Sequence, residues 1–308
     1  MTHDKADKPD HPQKAEKPEK KAEKSEDLQI SDKAEKSEKP LPEQPLRPAP
    51  RTKIHLADYA PDYTGGLNKK KTLEDTEKMH DRLGILQEML YAQKKQSVLV
   101  VLQAMDAGGK DGVLRKVFTH LNPAGIHISS FKTPTEEELA HDFLWRIHKQ
   151  TPSKGYIGVF NRSHYEDVLV VRVNKIVPPD VWRKRYTHIN AFEQLLADSG
   201  TRILKFFLHI SKEEQKDRLM DRLQDPNEQW KFSAADIPVR EKWVDYMQAY
   251  EDMISQCNTE AAPWHIVPGN HKWYRNYVIT RTLIETLESM NLAYPPAEKG
   301  LEDIKIPD

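Results

Sequence analysis

Ser97-Val-Leu-Val-Val-Leu-Gln-Ala-Met-Asp-Ala-Gly-Gly-Lys-Asp-Gly112 decides the fold. Ser97 to Leu102 is a continuous apolar, β-branched run of strand length, the pattern of a parallel strand covered on both faces. A glycine-rich turn follows, and then a helical segment, Gly112–Leu121. Backbone amides in such a turn converge on phosphate oxygens, and the helix N-terminus adds the positive end of its dipole. Gly108 and Gly109 form the turn, Lys110 places a point charge at the helix start, and Asp111 and Gly112 continue it. An ordinary strand-to-helix turn also needs glycine. The lysine directly after the pair, between a buried strand and a helix, favours phosphate binding.

The loop departs from G-x-x-x-x-G-K-[ST] at both ends. Ala104 stands where the first glycine belongs, and Asp111 replaces the hydroxyl residue that touches magnesium. Asp106, inside the loop, is the substitute: a carboxylate that holds a metal ion against phosphates.

Outward from this stretch, apolar residues at helical spacing predict a long amphipathic helix over Thr72 to Lys94. Further strands are expected at His127–Phe131, Tyr156–Phe160, Arg202–His209 and Trp264–Val267. Helices are expected at Glu136–Lys149, Pro179–Asp198, Lys212–Leu223, Arg240–Cys257 and from about Lys272 to Met290. Strands alternating with helices indicate right-handed βαβ units and a three-layer α/β/α sandwich around a parallel sheet. Ligands in such sheets sit at the carboxyl ends of the strands.

Charged residues make up 31% of the 308 and the hydrophobic set 37%, but the polarity is uneven. Residues 1–50 hold 11 Lys/Arg, 12 Asp/Glu and 8 of the 21 prolines, without one Phe, Trp or Tyr. Three copies of one hexad, beginning at Lys14, Lys21 and Lys33, run through this tail. It cannot bury enough apolar surface to offset its chain entropy and is expected to be a disordered, solvating extension. The folded domain is expected over 51–308. Its charge is balanced, which argues against a protein that coats nucleic acid. The single cysteine, Cys257, excludes an intrachain disulfide. Neither a secretory signal nor a membrane span is visible, so a soluble, cytoplasmic protein is expected.

Three further stretches carry chemistry. Phe160-Asn-Arg-Ser-His-Tyr-Glu-Asp167 ends a predicted strand. Asn161 stands where a metal-organising acid is common, Arg162 points its planar fork into the cleft, and a helix returns Glu166 or Asp167 to the site. A capped strand end with surface charges explains these residues about as well. Asp217-Arg-Leu-Met-Asp-Arg222 places Arg218 and Arg222 four apart on one helix face. With Trp230-Lys231-Phe232 it reads as a lid over about 212–236 whose arginines close on phosphates; a solvated, ion-paired helix is the alternative. Phe131-Lys-Thr-Pro-Thr-Glu-Glu-Glu138 offers Thr135 and Glu138 as a capping box, with Lys132 and Arg146 as lesser phosphate contacts.

Together these segments resemble the second family of polyphosphate kinases. The quoted stretches are Met105–Gly112, Phe131-Lys132 with His141–Arg146, Phe160–Ser163 with Tyr165–Asp167, and Asp221–Pro226 with Trp230–Phe232. The resemblance covers roughly residues 52–292. It implies a P-loop kinase fold with a helical lid, Mg2+ dependence, a homo-oligomer, and reversible transfer between inorganic polyphosphate and nucleoside phosphates. By the same resemblance Asp106, Lys110, Arg162, Arg218 and Arg222 are catalytic. Gly108, Gly109, Asp111, Gly112, Lys132, Asn161, Glu166 and Lys231 are expected to bind phosphate or nucleotide. The Asn161 form followed by Tyr-Glu-acid resembles the branch that accepts both AMP and ADP, and it moves the metal assignment to Asp106 with Asp167. Two rivals are an ATP-dependent nucleotide or small-molecule kinase on the same fold, and a non-catalytic nucleotide- or polyphosphate-binding scaffold.

Overall fold

The computed structural model describes residues 46–301, 304, 306 and 307. In chain order these form α1 (Lys69–Gln93), β1 (Ser97–Gln103), α2 (Lys110–Val117), β2 (Ile126–Ser130), α3 (Glu136–Leu139), α4 (Trp145–His148) and β3 (Ile157–Asn161). There follow α5 (Glu166–Val173), α6 (Pro179–Asp198), β4 (Thr201–His209), α7 (Lys212–Gln224), α8 (Asp236–Glu241), α9 (Trp243–Cys257), β5 (Trp264–Pro268) and α10 (Lys272–Glu288).

Every residue of β1 is buried, because successive side chains point to opposite faces and both faces are covered. Val98, Val100 and Leu102 pack with α1, α2 and α10 through Leu83, Val113 and Val278. Leu99 and Val101 pack on the other side with α5, α6 and α9 through Val168, Ile189 and Met253. The five strands pair in parallel in the order β2-β3-β1-β4-β5. The expected three-layer α/β/α sandwich with a parallel sheet is the observed architecture.

The largest difference in secondary structure lies between β2 and β3. In place of the one helix expected over Glu136–Lys149, two single turns, α3 and α4, are present. Thr135 and Glu138 form the capping box that starts α3. Asp142 Oδ1 then accepts from Leu144 N at 3.0 Å. That local bond gives the backbone an alternative to the helix and starts a second turn. Arg240–Cys257 likewise divides at Lys242 into α8 and α9.

The folded body begins before residue 51. Leu46 is buried, and its carbonyl accepts from Ile266 N of the edge strand β5 at 2.7 Å. Asn258 Nδ2 donates to Pro48 O and Ala49 O, each at 3.0 Å. Residues 46–50 thus satisfy backbone groups that an edge strand otherwise exposes. The rest of the expected disordered tail, 1–45, lies outside the described residues. Among the described residues no helix is long and apolar enough to cross a membrane.

Candidate active site

β1 and β3 are neighbours, yet their chains leave on opposite faces, toward α2 on one side and α5 on the other. Such a divergence opens a crevice at the carboxyl ends of the two strands. The phosphate loop after β1 and the turn after β3 meet there.

Backbone geometry shapes the loop. Ala107 and Gly109 take positive φ, 58° and 98°. A Cβ on Gly108 would lie 2.5 Å from Ala104 Cβ and 2.7 Å from Met105 O, so only glycine fits. A Cβ on Gly109 would run into the Arg275 guanidinium. Lys110 opens α2, and its Nζ donates to Ala104 O at 2.8 Å and Met105 O at 3.3 Å. Burial lowers the lysine pKa, and the nearby Asp106 carboxylate opposes that shift.

Arg162 sits at φ 64° in the turn after β3. Its Nη2 donates to Asp106 Oδ1 at 2.7 Å, and its Nη1 lies 3.7 Å from Glu166 Oε2. Burial raises the Glu166 pKa, with Arg162 and Lys110 acting against it. Asn161 Nδ2 donates to Asp111 Oδ1 at 3.0 Å, while its buried Oδ1 has no hydrogen-bond partner. The turn that carries these groups rests on a buried ionic network. Lys205 Nζ donates to Glu193 Oε2 at 2.6 Å, to Tyr165 OH at 2.7 Å and to Cys257 O at 2.7 Å.

α7 forms the opposite wall. Gln215 Nε2 donates to Asp106 O at 2.9 Å. Arg218 is buried and donates from Nε to Glu214 Oε1 at 2.7 Å, from Nη1 to Ala107 O at 3.1 Å and from Nη2 to Gly269 O at 2.6 Å. It ties the loop to the end of β5. Arg222 reaches within 4.0 Å of Asp236. Lys231 pairs with Glu228 and lies 5.2 Å from the Trp230 ring centroid.

The resulting cleft holds about 890 Å³. Eight cationic residues line it, namely Lys110, Arg115, Arg162, Arg218, Arg222, Lys231, Lys272 and Arg275, against six acids: Asp106, Asp111, Asp221, Asp225, Glu228 and Asp236. Gly108, Gly109, Gly112 and Asn161 line it too. A cleft with clustered guanidinium and ammonium groups around a helix N-terminus binds polyanions of the phosphate type.

Three expected residues stand outside the cleft lining: Asp167, Lys132, and Glu166, which meets the site only through its ion pair with Arg162. Asp167 faces away from Asp106: its Oδ1 accepts from Arg185 Nη1 at 3.0 Å, and its Oδ2 lies 4.0 Å from Arg146 Nη2. Helical rotation explains this, because adjacent residues on α5 point about 100° apart and Glu166 takes the loop side. The Asp106–Asp167 metal pair is therefore not assembled. Lys132 is exposed and absent from the cleft lining, and its carbonyl accepts from the buried Arg146 at 2.8 Å.

Sequence reasoning missed Arg275. It is buried on α10, and its Nε and Nη2 donate to Asn276 Oδ1 at 3.1 and 2.8 Å. Among the described residues no carboxylate pairs with it. Burial and then Arg218 lower its pKa to about 10. A buried, unpaired guanidinium against Gly109 and Gly112 is costly unless an anion comes to it. Nothing local in the sequence marks the residue, since the loop it faces is far away along the chain.

Known proteins match this chain closely. A model of the polyphosphate kinase 2 family matches residues 66–295. An AMP/ADP-polyphosphate phosphotransferase of Meiothermus ruber is 52% identical over 262 residues, covering 84% of this chain and 98% of its own. An ADP-polyphosphate phosphotransferase of Rhodopseudomonas palustris is 47% identical over 227 residues, covering 70% and 78%. The crystal structure of polyphosphate kinase 2 from Arthrobacter aurescens TC1 superposes with a TM-score of 0.81 at 41% identity, covering 84% of this chain and 93% of that one.

Proposed function

The chain belongs to the polyphosphate kinase 2 family, and from that premise we propose that it transfers phosphoryl groups reversibly between inorganic polyphosphate and AMP or ADP. The observation that carries this is the concentration of Lys110, Arg162, Arg222 and Arg275 around one phosphate loop, with no nucleophile or strong general base needed. The attacking group is a terminal phosphate oxygen of the nucleotide, already ionised near neutral pH. Phosphoryl transfer passes through a loose transition state, so the protein's task is to position both chains and neutralise charge.

In this reading the loop amides and Lys110 hold the donor phosphate, and Arg162 and Arg222 neutralise the phosphoryl oxygens in flight. Arg218 braces the loop from α7. The segment from α7 to α8 acts as the lid that excludes water. Gly112, Asp111 and Lys231 border the same path.

Mg2+ belongs to the proposal, and the donor set fits it. Hard cations take oxygen ligands, and the cleft offers the Asp106 carboxylate, Asp111 and the buried, unpartnered Asn161 Oδ1. Asp106 would hold the ion with those two groups beside it. A bound Mg2+ supplies charge neutralisation at the phosphoryl oxygens. A cytoplasmic setting and homo-oligomeric assembly complete the proposal. The only cysteine, Cys257, is free and buried, which suits a reducing compartment.

The test is a transfer assay on the pure full chain with AMP, ADP, GMP or GDP, each offered polyphosphate or ATP, with and without Mg2+. Polyphosphate-dependent formation of ADP and ATP supports the reading. Transfer from ATP alone would replace it with an ATP-dependent kinase, and no transfer at all with retained polyphosphate binding would leave a scaffold.

A further inference from the structure

The turn after α2 is pinned to α1 by one side chain. Gln87 Nε2 donates to Asn122 O and Gln87 Oε1 accepts from Asn122 N, both at 2.8 Å. His80 lies two helical turns before Gln87 on the same buried stripe, which also carries Thr76 and Leu83. The pinned turn therefore sets the exposed His120 over His80, with ring centroids 3.9 Å apart and planes 13° from parallel. Glu77, one turn earlier on α1, brings Oε2 to 3.6 Å from His80 Nδ1. One donor atom from each of Glu77, His80 and His120 lies within 4.8 Å of the other two.

His80 is only 7% exposed, yet neither of its ring nitrogens has a hydrogen-bond partner. A neutral imidazole always presents one N–H and one lone pair, and buried polar groups are normally satisfied. We propose that Glu77, His80 and His120 form a binding site for a transition-metal ion of the Zn2+ class, at the far end of α2 from Lys110. Two imidazoles and one carboxylate, with a fourth position open to water, are a donor set that suits Zn2+. Mg2+ prefers oxygen ligands, so the two ions sort to different places. A shared ion lies in the plane of each imidazole that binds it. Parallel stacked rings do not meet that condition, so the exposed His120 ring turns out of the stack while the buried His80 stays. The ion would brace α1 against the helix that presents the phosphate loop.

Calorimetric titration of the full chain with ZnCl2, in buffer saturated with Mg2+, tests this. Wild type is expected to bind one Zn2+ equivalent more than His120→Ala, and Glu77→Ala to bind that equivalent more weakly. Both substitutions are at exposed positions, so folding is not at stake, and histidines elsewhere contribute equally to every titration. With Co2+ as probe, the wild-type visible spectrum should show a tetrahedral ligand-field band that His120→Ala lacks. Zn2+ should raise the melting temperature of wild type most, that of Glu77→Ala less and that of His120→Ala least. Polyphosphate transfer with Mg2+ alone should be the same in all three proteins. Equal stoichiometry in wild type and His120→Ala, or no Zn2+ binding by wild type, overturns the proposal.

Discussion

The Arg162 guanidinium donates to the Asp106 carboxylate across 2.7 Å, joining the turn after β3 to the phosphate loop after β1. Each residue therefore sets the position of the other. Asp106→Asn keeps the shape but removes the charge that holds Arg162 and that, in the proposed function, would hold Mg2+. Charge-positioning groups of this kind contribute about 10²–10³-fold in kcat. Steady-state kinetics with polyphosphate and ADP should show a fall of that order for Asp106→Asn; a change within about twofold would remove Asp106 from the mechanism.

Arg275 should separate activity from stability. In the absence of substrate its charge is buried beside Arg218 with no carboxylate partner among the described residues. Replacing an uncompensated buried charge with an apolar side chain of similar length relieves desolvation. Arg275→Met is expected to melt at or above the wild-type temperature while kcat/KM for polyphosphate drops by about tenfold or more. A marked loss of stability with unchanged kinetics would make Arg275 a structural residue.

The Lys205–Glu193 pair should behave in the opposite way. Lys205→Met leaves Glu193 buried without its cation, and breaking one partner of such a pair costs about 3–5 kcal/mol. Urea unfolding of Lys205→Met, Glu193→Leu and the double variant tests this. The double variant should recover part of the loss, and additive losses would count against coupling. Burial alone would raise the Glu193 pKa; Lys205 and His164 more than offset it and hold the carboxyl below its ordinary value.

Acid sensitivity should come largely from two histidines. Burial lowers the pKa of His209 and of His265 to about 4 each. The unfolded chain takes up protons at these positions near pH ~6.5, whereas the folded chain does not until about pH 4. Their contribution to stability is therefore full above about pH 6.5 and is lost as pH falls through that window. Urea midpoints measured from about pH 7.5 to about pH 4.5 should fall, and His209→Gln should flatten the slope. An unchanged slope in that variant would contradict the assignment.

Much of this is legible in the residues themselves. The unbroken apolar run Val98–Leu102 marks a central strand because a parallel strand covered on both faces leaves no exposed position between them. The Gly-Gly-Lys turn marks the loop because its backbone angles and its charge are local requirements. The expected helix Pro179–Asp198 matches the observed one to the residue, since a proline at N1 fixes where that helix starts. What is not legible depends on distant partners or on side-chain competition. The break at Asp142 arises from one side chain displacing a helical bond. Glu166 and Asp167 are adjacent, and which one turns to the loop depends on how α5 docks against α6 and Arg185. Arg275 reaches the site only because α10 packs against α2. Leu46 belongs to the body because β5 is an edge strand with backbone groups to satisfy.

The most direct measurement follows the phosphorus. The full chain is incubated with ADP, Mg2+ and polyphosphate carrying radioactive phosphorus, and the nucleotides are then separated. Label is expected in the γ-phosphate of ATP, formed in step with loss of polyphosphate, and little of it in Lys110→Ala. ATP carrying no label, or label transfer undiminished in Lys110→Ala, would contradict this expectation.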